Sequence, residues 1–103
     1  MPRVGQAYYL TGANAHTQLN SGGTNTVQTL TFENGCSAIM VSAKTANAFV
    51  TFDQSVPAAT NGLEIVAGGQ PVLIPLGFNA HNGHQLKMIG AAINAVLNVV
   101  QLN

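Results

Sequence analysis

The stretch Phe49–Gly77, FVTFDQSVPAATNGLEIVAGGQPVLIPLG, limits the folds open to this chain more than any other. Pro57, Pro71 and Pro75 each fix φ and remove a backbone donor, so no helix and no central strand can run through them. Between those breaks lie β-rich segments, with Thr60-Asn61-Gly62 and Ala67–Gln70 supplying turn chemistry. The stretch reads as strand, long polar turn, short strand, tight turn and a proline-bracketed strand suited to a sheet edge. Asp53 is placed to accept backbone N–H bonds from Ser55 or Val56 and so fix the long turn. Asp53, Pro57, Asn61 and Gly62 are therefore read as turn architecture.

The flanking chain has the same grain. Thr26–Phe32 alternates as a half-buried strand, Glu33-Asn34-Gly35 carries the Asn-Gly turn signal, and Cys36–Ala43 is apolar on both faces. Residues 26–43 are expected to form a hairpin. Ala15–Leu19 alternates weakly, 20–25 is a Gly-rich loop, and 77–83 is a second polar loop. His84–Gly90 is expected as a strand with Leu86 and Met88 on one face. Ile89, Ile93, Val96, Leu97 and Val100 also fit helical spacing, but Gly90 and Asn94 disfavour helix. The preferred reading is a turn around 92–94 and a strand over 95–102. Seven to nine short strands with a turn signal about every ten residues predict a single antiparallel β-sandwich, jelly-roll-like, with 1–12 as an extended arm.

Composition bears on what such a domain could do. Only three basic residues and three acidic ones are present, for a net charge of zero, while eighteen Asn and Gln carry the solvation. A neutral, amide-rich surface suits a protein packed against copies of itself or a larger assembly. Three scattered cations give no footprint for nucleic acid, and no apolar run is long enough to span a membrane. The N-terminal MPRVGQAYYLTG lacks the apolar region of a signal peptide. With no Trp and fourteen Ala, the core must be shallow and aliphatic, with Phe32, Phe49, Phe52 and Phe78 as its large pieces.

Chemistry has little to work with. A paired acid/base site would need Asp53 to meet Glu33 or Glu64. Cys36 sits in an apolar run and reads as a small buried residue with nothing to lower its pKa. His81 and His84, with His16 as a distant third, are the only arrangement resembling metal ligands; two polar loop residues are the plainer reading. No catalytic residue, no cofactor and no enzymatic activity is expected. Tyr8 and Tyr9 are the candidate contact residues.

From VTFDQSVPAATNGLEIVAGGQPVLIPLG through LKMIGAAINAVLNVVQL, the C-terminal half resembles small structural proteins of tailed bacteriophages. Thr51-Phe52-Asp53, Pro57, Thr60-Asn61-Gly62, Leu63 and Gly68 match their turn pattern, and Gln54 replaces the usual Gly, so the turn after Asp53 is expected to open differently. The resemblance implies a non-enzymatic virion protein, made in the host cytoplasm, that decorates or cements the capsid surface. It also implies homotrimers, or another homo-oligomer, bound to the major capsid protein. It equally admits a minor tail or head–tail joining protein. A carbohydrate-binding jelly-roll module is the reading from a different class.

Overall fold

Period-two alternation over short segments gives eight strands in a computed structural model that describes Leu10, 15–76 and 84–102. They are β1 (His16–Asn20), β2 (Gln28–Thr31), β3 (Ala38–Lys44), β4 (Ala48–Thr51), β5 (Leu63–Ile65), β6 (Val72–Pro75), β7 (Gln85–Gly90) and β8 (Val96–Leu102). Two four-stranded antiparallel sheets result, ordered β1-β8-β3-β6 and β2-β7-β4-β5. The pairs β1–β8, β2–β7, β3–β6 and β4–β5 are nested. The chain is thus one long hairpin, its tip at 52–62, rolled up so that its two halves face each other. That is the jelly-roll order. The helical alternative for 89–100 is not adopted, and the only segment between β7 and β8 is the turn at 91–95.

The core lies between the sheets. Leu30, Leu86, Met88 and Val50 from one sheet meet Leu19, Leu97, Val99, Ile39 and Val41 from the other, with Phe32, Cys36 and several alanines completing it. Phe49, expected in the core, is paired with Ile89 and Glu64 on the outer face of its sheet and is only half-buried. The parity of β4 explains this, because burying Val50 turns Phe49 away. Phe52 packs half-buried against the core edge. Phe78 lies outside the described residues.

The expected hairpin over 26–43 is not formed. Its turn is present, with Cys36 N–H donating to the Glu33 carbonyl at 3.2 Å and Gly35 at φ +88°. Its two strands nevertheless join opposite sheets. The reason is β8: the Gln101 side-chain oxygen accepts from Glu33 N–H at 2.7 Å, and Ser37 N–H donates to Leu102 at 2.8 Å. Gln101 is fully buried. These bonds capture both sides of the turn, so Leu30 and Phe32 face Ile39 and Val41 across the core instead of lying beside them. The turn at 67–70 behaves alike. Gly68 N–H donates to Ala43 at 3.0 Å and Ala67 N–H to the Asn47 side chain at 2.8 Å. β5 and β6 accordingly lie in different sheets.

The Pro-bracketed strand is an edge, as its prolines require. Leu76 N–H donates to Ser37 at 2.8 Å, and antiparallel alternation then points the backbones of Val72 and Ile74 at β3. Pro71, Leu73 and Pro75 face the open side. Two of those three have no N–H to offer, which blunts the edge against further pairing.

The β3–β4 connection places a β-branched residue at positive φ. Ala46 N–H donates to Lys44 at 2.8 Å around Thr45 at φ +73°, a γ-turn of the rarer, strained kind. A β-branched residue there costs about 1–2 kcal/mol, and the exposed side chain recovers little of it. Thr45→Gly is expected to stabilise the protein by about 0.5–1 kcal/mol after the entropy cost of glycine, a rise of about 2–8 °C in Tm. Thermal denaturation by circular dichroism checks this.

Candidate functional site

The tip of the roll is a loop held by its own side chains. β4 ends at Thr51, whose hydroxyl donates to the Ser55 carbonyl at 2.6 Å. Ser55 N–H donates to Asp53 Oδ1 at 3.1 Å, and the Ser55 hydroxyl donates to the same oxygen. The Asn61 amide donates to Val56 at 2.8 Å and to the Ser55 hydroxyl at 3.1 Å, while Ala58 and Asn61 exchange two backbone bonds. Pro57 is buried beneath them. Asp53, Pro57, Asn61 and Gly62 all lie in this one loop, where Asp53 and Asn61 are joined through Ser55. Gln54 sits at φ +71°, so the backbone after Asp53 has the conformation in which glycine is at home.

An open hollow of about 270 Å³ lies beside this loop, lined by Thr51, Asp53, Ser55, Asn61 and Leu63 among others. It brings one carboxylate, Asp53, and two hydroxyls, Thr51 and Ser55, to the same wall, and only the Ser55 hydroxyl bonds the carboxylate. Both Ser55 bonds, hydroxyl first and then N–H, hold the Asp53 carboxyl below its ordinary range. A lowered pKa makes Asp53 a weaker base, so the pair is poorly suited to generating an alkoxide. It suits a clamp that keeps the tip rigid.

This clamp has a pH signature. Because the folded-state pKa is depressed, the stabilisation is present above the ordinary aspartate value of about 3.9 and is lost as pH falls through the folded value. The stability difference between the native protein and an Asp53→Ala variant is expected to be constant from pH 7 to about pH 5 and to shrink below about pH 4. Urea denaturation at each pH measures it.

The other candidate residues do not converge. His84 stands at the entry to β7, where its carbonyl accepts from Phe32 N–H at 2.9 Å, whereas His16 is on the edge strand of the other sheet. His81 lies outside the described residues, as do Tyr8 and Tyr9 and most of the 1–12 arm. Among the described residues no three His, Cys, Asp or Glu side chains gather in a way that could hold a metal ion. No helix among them is long and apolar enough to cross a membrane. Cys36 is buried, its thiol directed at the Ala38 carbonyl at 3.3 Å, and burial raises its pKa.

Sequence reading missed the outer face of the β1-β8-β3-β6 sheet. Register places Leu73, Met40, Val100 and His16 in one row across it, with Pro75, Ala38 and Leu102 in the next. Leu10 bridges to Leu102 and extends that second row. Met40 and Leu73 are 39% and 40% exposed and Leu10 51%, so one end of this face is an accessible apolar surface. The other end is polar, with Gln18 donating to Asn98 at 3.1 Å beside Ser42 and Lys44. The signal was in the strand sequences, but only the register shows that apolar residues of three strands align.

Comparisons with family models, with curated proteins and with solved structures gave no match.

Proposed function

We propose that the protein is a non-enzymatic structural component of a phage particle, a decoration or cement protein seated on the assembled head. The apolar rows on the outer face of the β1-β8-β3-β6 sheet carry this reading. Uncharged apolar surface rimmed by amides is what a protein–protein interface buries without leaving charges unpaired. The net charge of zero and the resemblance of the turn residues to those of small phage virion proteins support it. Its partners are then itself, as a trimer or another homo-oligomer, and the major capsid protein. Binding across subunit junctions favours the assembled shell over its parts by mass action.

Particles lacking the protein are expected to lose heat or chelator resistance, and its copy number in purified particles to be on the order of hundreds. Unchanged resistance would sink the cement role. About a dozen copies or fewer would instead assign it to a tail or head–tail joint. The jelly roll is shared by capsid and lectin domains, and fold alone does not choose between them. Without Trp, the chain lacks the best platform for a sugar ring; binding on a glycan array would reverse the choice.

A further inference from the structure

We infer that two copies of this chain join through the open edge of β1, pairing antiparallel about Gln18 to make one continuous eight-stranded sheet. Gln101 N–H donates to Ala15 and Ser21 N–H to Ala95. With the register of β1 on β8, these bonds fix the alternation: Thr17 and Leu19 turn their backbones inward to β8, and His16, Gln18 and Asn20 turn theirs outward. Three consecutive outward residues therefore present an N–H and a carbonyl each, with no proline and no formal charge among them.

This edge is self-complementary. Pairing with a second copy about Gln18 sets Gln18 opposite Gln18 and His16 opposite Asn20, all residues of the same parity. Each pair can exchange two N–H···O=C bonds. The side chains brought together are amides and imidazoles, so no like charges meet, and the protein as a whole is neutral.

The other edges explain why the occupant is a second copy joined by a two-fold. In the same sheet the far edge is β6, where Pro71 and Pro75 leave Leu73 as the one outward donor. Head-to-tail pairing of β1 with β6, which would propagate an open filament, is blocked; two β1 edges meeting form a closed pair. In the second sheet β5 has three residues, and β2 turns out only Thr29 and Thr31, as the Phe32 N–H bond to His84 sets its alternation. β1 is the longest free edge among the described residues. The inference goes beyond the head-decoration reading and stands or falls without it, since it concerns the isolated protein.

Sedimentation and amide hydrogen exchange of the full chain test it. The mass is expected to rise from one copy to two between about 1 μM and 1 mM. Exchange at His16, Gln18 and Asn20 is expected to slow about tenfold or more over the same range. Gln18→Pro removes an N–H that the fold does not use, so it should keep the native circular dichroism and give a monomer throughout. If Gln18→Pro does not fold, Gln18→Lys provides the second variant, facing two like charges across the axis and shifting the midpoint at least about tenfold at low salt. Thr29→Pro and Leu73→Lys should leave the dimer intact. A monomer throughout, an oligomer insensitive to both Gln18 variants, or one abolished by Thr29→Pro overturns the inference.

Discussion

Replacing Gly90 by alanine is expected to lower stability by about 3 kcal/mol or more, one of the two largest losses from a single added methyl in the described chain. Gly90 ends β7 opposite Ala48 and is buried. A Cβ there would collide with the Ala95 methyl and come within 2.6 Å of the Ala92 carbonyl and 2.9 Å of Asn25 Oδ1. Two of those three neighbours resist displacement. Ala95 is fully buried and its N–H is held by the Ser21 hydroxyl at 3.0 Å. Asn25 clasps Gly90 itself, its Oδ1 accepting the Gly90 N–H at 2.9 Å and its amide donating to the Gly90 carbonyl at 2.6 Å. The methyl would therefore add overpacking of about 1–3 kcal/mol and loosen two hydrogen bonds worth about 1 kcal/mol each. The matching fall in Tm is on the order of 12 °C or more. Gly23→Ala is the control, since nothing lies within 4 Å of its added Cβ. A Gly90→Ala protein that melts within about 3 °C of the native one would refute the argument.

Gly62→Ala is expected to cost about as much, by a different route. Gly62 has φ +122°, far from any region an L side chain favours, and its added Cβ would lie 2.5 Å from the Val50 carbonyl. Val50 is paired with Leu63 at the root of the tip loop, so relief requires parting β4 from β5. Backbone strain of about 1–3 kcal/mol and a similar packing cost add to about 3 kcal/mol. Unlike Gly90→Ala, this variant should also loosen the tip locally. Faster hydrogen exchange at Ala58 and Asn61, whose N–H groups bond to each other's carbonyls, would report that. A variant with native Tm and native exchange at both positions would show that the loop accommodates a side chain after all.

These two glycines differ in how visible they were beforehand. Gly62 follows Asn61 at the end of a Pro-containing polar loop, and turn chemistry marks it without any structure. Gly90 reads from sequence only as a poor helix residue. The need for an absent side chain there comes from Asn25 and Ala95, which are distant in sequence. The same division holds for the fold. Leu86 and Met88, or Ile39 and Val41, announce their shared face by spacing alone, so the strands and their buried sides are legible. The sheet each strand joins is not. Asn34-Gly35 gives a true turn, yet the strand after it is claimed by Leu102 and the buried Gln101, a bond partner 68 residues from Glu33. Asn47 is similar: it donates to Glu64 at 2.9 Å, accepts from Ala67 through its side chain and accepts from Ala91 through its carbonyl at 2.7 Å. A lone amide in a loop carries no local mark of so many partners. At the tip, by contrast, the bonds running from Asp53 through Ser55 to Asn61 join residues that are close in sequence.

The nested pairing also dictates when this protein can fold. β8 lies between β1 and β3 in its sheet, yet it is the last of the eight strands to emerge from the ribosome. Until it arrives, β1 has no partner and β3 has only the short proline-blunted β6. Nor can Gln101 yet bend the chain at Glu33. The sheet must be completed from its middle, after synthesis of the strand that fills it, and strands far apart in sequence must find each other in one step. Such topologies fold on the scale of milliseconds to seconds. A chain cut short before residue 96 would therefore lack the strand that joins β1 to β3 and could not complete this sheet.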